Sequence, residues 1–270
     1  MEDIIEEPQI TSQGTSVATP KVLIMMADYG HDPTETAVPY TAFKKAGYEV
    51  YFSTENGKHP WCDKKMLEGF TQKLLGAKKE VVNMYKLMAT SQEMCHPIPW
   101  STPGFSLDSF DLVLFPGGHE KGVKQIIESP IVHKLVLDYF PKTKKPSKKV
   151  IAAVCHGVMV LAESKDANGR SVIRDCITTA LPAKFEQAAY WGTRAILGDY
   201  YKTYGHGSDD VEKSIKKVLA NPAQFKASLN PGPFTVEDEQ YNYISARYPG
   251  DAELFAEEII KLFESFHKIV

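Results

Sequence analysis

Val150-Ile151-Ala152-Ala153-Val154-Cys155-His156-Gly157 decides the fold. The first five residues are small, apolar and uninterrupted, as a strand buried on both faces of a parallel sheet requires. A second apolar run, Val158-Met159-Val160-Leu161-Ala162, reads as a helix. A strand that stops on a nucleophilic side chain and turns sharply into a helix is a nucleophile elbow, here built on sulfur. The turn holds the thiol at the carboxyl edge of the sheet, where ligand sites of such sheets lie. The partial positive charge of the helix start is expected to favour thiolate over thiol.

Outward from the elbow, the same rhythm recurs. Lys21–Ala27 reads as a buried strand, Thr34–Ala46 as a helix stopped by Gly47, and Glu49–Ser53 as a second strand. Strand, helix, strand implies a right-handed crossover and parallel pairing. The rhythm breaks over Glu55–Leu107, which holds candidate helices at Asp63–Leu75 and Glu80–Ala89 together with Pro97, Pro99 and Pro103. This stretch reads as a cap inserted at the sheet edge. Leu112–Phe115 resumes the sheet and ends in Pro116-Gly117-Gly118-His119, with a helix expected over Lys124–Tyr139. Further strands are expected at Cys176–Thr179, Phe234–Val236 and Tyr243–Ala246, with helices near Lys184–Trp191 and Ser208–Leu219. The final helix, Asp251–His267, carries Phe255, Ile259, Leu262, Phe263 and Phe266 on one face. The expectation is one α/β domain over residues 21–270, a three-layer α/β/α sandwich with a mostly parallel sheet and a cap at about 55–107. Residues 1–20 are polar and read as a disordered tail.

The 270 residues hold 31 Lys and Arg against 34 Asp and Glu, so neither nucleic acid nor an anionic membrane is expected as main partner. The basic run Lys142–Lys149 fits a solvated loop. The four cysteines, Cys62, Cys95, Cys155 and Cys176, lack paired spacing, and no secretory or membrane-length apolar segment is visible. A reducing cytoplasmic setting and a free Cys155 thiol are the expectation.

Alone, a cysteine at a strand end is more often a small buried apolar residue. His156 is either a general acid or base beside the sulfur or a helix-start residue facing solvent. Gly117 and Gly118 either point backbone N–H groups at a substrate oxyanion or form a simple turn, and His119 adds a polar group at that edge. Asp32-Pro33-Thr34-Glu35 fits a helix start with Glu35 at N3, yet the first strand delivers Glu35 to the edge that holds Cys155. Glu186 either orients His156 or is a solvated helix residue. His31, His59, His96 and His119 lack a zinc spacing, so no metal is expected.

The segments KVLIMMADYGHDPTETAVP, FSTENGKHPWCD, FDLVLFPGGHEKG, KVIAAVCHGVMVL and YNYISARYPGDAELFAEEI resemble the PfpI/ThiJ superfamily, in its glyoxalase III-like, heat-shock-type branch. The AVCHG elbow together with the PGGH turn is fairly specific. The resemblance implies a flavodoxin-like sandwich without a cofactor, a catalytic Cys155 with His156 beside it, and Glu35 contacting the sulfur. It places oxyanion amides on Gly118 and His156 and the third acid on Glu186. It also implies a glutathione-independent lyase that turns a 2-oxoaldehyde such as methylglyoxal into a hydroxy acid, and a possible homodimer. Two departures stand out: an aromatic-rich Leu181–Leu229 and Arg247 in the late loop. These motivate a second expectation, a thiol amidase, hydratase or hydrolase in which Arg247 clamps a substrate carboxylate. A third is a redox-sensing stress chaperone with a reversibly oxidised Cys155.

Overall fold

The structure is a computed structural model that describes residues 19–266. The expected polar tail lies outside these residues except for its last two, as does His267. In chain order the elements are β1 (Lys21–Met25), β2 (Tyr29–His31), α1 (Pro33–Lys45), β3 (Glu49–Thr54), β4 (Trp61–Cys62), α2 (Lys64–Leu67), α3 (Gly69–Leu75), α4 (Lys79–Ala89), α5 (Gln92–Cys95) and β5 (Ile98–Pro99). They continue with β6 (Leu112–Phe115), α6 (Lys124–Ile127), α7 (Pro130–Tyr139), β7 (Val150–Val154), α8 (Val158–Glu163), α9 (Ala183–Leu197), α10 (Val211–Val218), β8 (Thr235–Glu237), β9 (Tyr243–Ala246) and α11 (Ala252–Ser265).

Seven strands form one sheet in the order β5-β3-β1-β6-β7-β9-β8, parallel except for β8 against β9. Strand alternation sorts the core into two halves. Leu23, Met25, Val113, Phe115, Ile151 and Ala153 face α6, α7, α8 and α10. Val22, Ile24, Leu112, Leu114, Ala152 and Val154 face α1, α4 and α11, meeting Phe43, Met88, Phe255 and Ile259. Each fully buried aliphatic or aromatic side chain is worth about 1.5–3 kcal/mol, which is why these strands are apolar on both faces. This is the expected three-layer α/β sandwich. Among the described residues no helix is long and apolar enough to cross a membrane.

Local chemistry explains most departures from expectation. The helix expected over Lys124–Tyr139 is two helices, because Pro130 cannot donate a backbone bond and Ser129 instead caps α7. Asp63–Leu75 also breaks in two, at Gly69 with φ +79°. Cys176–Thr179 is not a strand; Thr178 makes only an isolated bridge to Phe225, and its neighbour's N–H is taken by the Ser245 hydroxyl. The expected cap divides: α4 and α5 join the core layer through Met88 and Met94, β5 extends the sheet edge, and α2–α3 stand by the main cavity.

Chain order places the site. From β1 the sheet is built outward in both directions, toward β3 on one side and β6 on the other. Ligands bind beyond the carboxyl ends of strands at such a switch point. Here the ends of β1 and β6 lead into Asp32–Glu35 and Pro116–His119, and the elbow follows the adjoining strand β7.

Candidate active site

Cys155 is the only non-glycine residue with positive φ among the described residues, at +57°. That conformation costs about 1–2 kcal/mol in an L-residue. It swings the side chain out of the strand to the floor of a cavity of about 590 Å³. Gly157 makes the turn possible, since a Cβ there would lie 2.2 Å from the Phe115 carbonyl oxygen. Gly117 closes the floor from β6; its Cβ would sit 2.8 Å from both Cys155 Cβ and Glu35 Oε2.

Asp32 and Glu35 divide the roles that were open at the start of α1. Asp32 caps the helix, its Oδ1 accepting from the N–H groups of Thr34 and Glu35. Glu35, fully buried, turns inward. Its Oε2 accepts from Gly117 N–H at 2.8 Å, and Asp32 N–H donates to Gly117 O at 2.9 Å. This reciprocal pair ties α1 to the Gly117 turn. The Glu35 carboxyl also lies close enough to interact with the Cys155 sulfur. Its Oε1 keeps no regular hydrogen-bond partner among the described residues.

His156 is buried rather than solvent-facing, and its Nδ1 lies 3.5 Å from Cys155 Sγ. Thr203 fixes the tautomer. Its single hydroxyl proton goes to the His119 carbonyl at 2.9 Å, so its oxygen accepts from His156 Nε2–H at 3.0 Å. Nδ1 is therefore the bare nitrogen, and the thiol donates to it.

Protonation follows burial. His156 is pushed down to about 3 by desolvation and by nearby Lys202, so the ring is neutral. Glu35 is raised well above 4.5 by desolvation and then by the Asp32 charge. Asp32 itself is raised to about 6, chiefly by burial. Burial, then the Glu35 and Asp32 charges, push the Cys155 thiol well above its usual range. The expected ready thiolate is thus reversed: α8 is only six residues long, and desolvation outweighs its dipole.

Two expected site residues are engaged elsewhere. Glu186 lines the cavity, but its Oε1 accepts from Lys202 Nζ and its Oε2 from Val211 N–H, so it does not orient His156. Arg247 has no exposed surface. Its Nε and Nη2 hold Asp251, while Nη1 and Nη2 also donate to the carbonyls of Ser228, Asn230 and Gly232. Its donors are taken by Asp251 and by the loop before β8, which removes it as a carboxylate clamp. Of the turn amides, Gly117 N–H is already spent on Glu35, whereas Gly118 borders the cavity. His156 N–H interacts with the sulfur.

The polar group expected at the Gly118 edge and the aromatic-rich segment meet here. His119 stacks on Tyr201 with ring centres 4.3 Å apart, and both border the cavity. Tyr200 donates to Asp63, the cap of α2. No local signal pointed to Thr203, which lies 47 residues from His156.

A family profile described as ThiJ/PfpI family-like matches residues 26–233. An uncharacterized protein of Schizosaccharomyces pombe is 28% identical, with 93% of this chain and 87% of that protein covered. Among solved structures, a 24 kDa rapid encystment protein of Francisella tularensis superposes with TM-score 0.60 at 20% identity, over 91% of this chain and 99% of that one. A glyoxalase III of Candida albicans superposes with TM-score 0.56 at 18% identity, over 91% and 98%. These structural likenesses speak for the fold.

Proposed function

The chain belongs to the ThiJ/PfpI family, and from that premise we propose that it is a glutathione-independent, glyoxalase III-like lyase acting on a 2-oxoaldehyde. The observation that carries this reading is the meeting of Cys155 and Glu35 on the floor of one cavity, with His156 Nδ1 3.5 Å from the sulfur and the sulfur held there by a positive φ. A fold shared with a glyoxalase III supports it.

Cys155 Sγ adds to the aldehyde carbon, forming a C–S bond while the carbonyl π pair moves to oxygen. The thiol proton leaves toward His156 Nδ1 and ends on that oxygen, giving a hemithioacetal. Amides at Gly118 and His156 stabilise the charge developing on oxygen. A proton is then removed from the former aldehyde carbon and returned to the neighbouring keto carbon, while the hydroxyl proton of the first carbon passes to the former keto oxygen, so that the first carbon becomes the thioester carbonyl and the second carries the hydroxyl. Glu35 performs this transfer: its carboxyl touches the sulfur and burial raises its pKa, whereas His156, lowered to about 3, is a weak base. The product is a thioester of the 2-hydroxy acid. Water attacks its carbonyl, the C–S bond breaks, and the thiol regains its proton. The sum is substrate plus one water, with no oxidant or reductant.

A raised thiol pKa suits this chemistry. Addition is coupled to proton loss at the moment of attack, so no standing thiolate is exposed to oxidants. Purified protein given methylglyoxal without glutathione is expected to form lactate. Equal rates from wild type and Cys155→Ala would end the proposal.

A further inference from the structure

We infer that the substrate is an uncharged 2-oxoaldehyde bearing a bulky apolar substituent. This rests on the lyase reading above and narrows its substrate class. Methylglyoxal carries only a methyl group beyond its two carbonyl carbons and would leave most of the 590 Å³ cavity empty. A cavity of that size accommodates a ligand far larger.

The lining is divided by chemistry. Cys155, Glu35, Asp32 and His119 gather at one end, and the walls are formed by side chains such as Leu74, Leu75, Phe185, Leu229 and Tyr248. Leu74 is 54% exposed, Leu75 46% and Leu229 46%, apolar area that a substrate tail would cover. Helix α9 makes room by presenting Ala188, Ala189 and Gly192; a Cβ on Gly192 would meet nothing within 4 Å. At the polar end, Tyr201 OH and His119 Nε2 are buried without hydrogen-bond partners among the described residues, His119 Nε2 lying 3.8 Å from an Asp63 carboxylate oxygen. These two atoms are suited to the keto oxygen beside the reacting aldehyde. A buried polar atom left unpaired is unfavourable, so a ligand that satisfies it gains affinity.

Charge selects against anions. Among the described residues the ionisable acids bordering the cavity are Asp32, Glu35 and Glu186, and neither Lys nor Arg lines it. Lys202 is held by Glu186 and Arg247 by Asp251. A carboxylate or phosphate on the tail would meet no Lys or Arg among the described lining residues; Lys65, which acts on His119, is not one of them.

The test compares kcat/KM of the full chain for methylglyoxal, phenylglyoxal, 2-oxodecanal and 2-oxodecanal carrying a terminal carboxylate. The two bulky neutral substrates should exceed methylglyoxal by at least about tenfold, since each buried methylene contributes strongly to discrimination. The carboxylated chain should fall about tenfold below its neutral counterpart. Gly192→Leu should lower the ratio of 2-oxodecanal to methylglyoxal by about tenfold. Methylglyoxal as the best substrate, or an indifferent terminal carboxylate, would overturn the inference and leave the lyase reading standing. Calorimetric binding of 2-decanone and decanoate to Cys155→Ala separates the opposite case. If no 2-oxoaldehyde reacts, the lyase reading and the aldehyde head group fall together. Binding of 2-decanone but not decanoate, weakened by Gly192→Leu, would then still support the uncharged apolar tail, and its absence would refute that too.

Discussion

Thr203→Val tests the proton arrangement at the elbow without touching the sulfur. Valine is close in size to threonine but accepts no hydrogen bond, so His156 Nε2–H loses its acceptor and the His119 carbonyl loses its donor. A buried N–H left unpaired costs about 1–3 kcal/mol. In a chain of this size that corresponds to roughly 2–12 °C in melting temperature. The ring can escape part of the penalty by moving its proton to Nδ1, which then cannot accept from the Cys155 thiol 3.5 Å away. Stability and rate therefore trade against each other. We expect a fall of a few degrees in melting temperature together with a drop in kcat of roughly ten- to a hundredfold, below the roughly 10²–10⁴-fold of losing a positioned proton acceptor outright because only part of the population shifts its proton to Nδ1. Thr203→Ser keeps the hydroxyl and should restore both. Calorimetric melting and steady-state turnover of a 2-oxoaldehyde provide the readouts. If Thr203→Val melts within a degree of wild type and turns over within twofold of it, the tautomer argument is wrong.

Glu35→Gln should reduce turnover by about 10²–10⁴-fold while leaving the protein folded. Because the folded chain keeps a Glu35 proton that the unfolded chain releases from about pH 4.5 upward, stability falls as pH rises above 4.5 toward the raised folded value. Urea midpoints measured across pH should show this decline in wild type and a shallower one in Glu35→Gln; identical slopes would contradict the assignment. Arg247→Met leaves Asp251 charged and buried and should destabilise by about 3–5 kcal/mol in urea, with kcat of the folded fraction within twofold. A large loss of kcat at unchanged stability would restore Arg247 to the site. Gly117→Ala drives a methyl group against Cys155 and Glu35 and should lower activity more than a hundredfold, with about 1–3 kcal/mol lost in denaturation. Near-normal turnover would show that the floor of the cavity yields more readily than its packing implies.

The sheet was legible because each buried strand announces itself locally: Leu112–Phe115, Val150–Val154 and Tyr243–Ala246 are short apolar runs flanked by turn residues. Cys155 was legible for the same reason, since the elbow is encoded in contiguous residues. Glu35 required both halves of its reading, because a cap and an inward carboxyl sit within one turn of α1. What sequence could not reveal was pairing at long range. Glu186 as third acid, Arg247 as clamp and an activated thiolate all assumed contacts or exposure that packing decides. The structure gives the imidazole a threonine instead of a carboxylate, spends Arg247 on a loop, and lets burial set the protonation of the site. Thr203 carried no hint, since nothing local distinguishes a hydroxyl that will meet a ring 47 residues away.

The covalent role of Cys155 is open to direct observation. A single turnover of phenylglyoxal, quenched in acid within the first catalytic cycle and digested for mass spectrometry, should show the 2-hydroxyacyl thioester on the peptide containing Cys155. It should be absent from peptides carrying Cys62, Cys95 or Cys176. Mandelate accumulating at full rate with Cys155 unmodified at every quench time would mean that the sulfur does not carry the reaction.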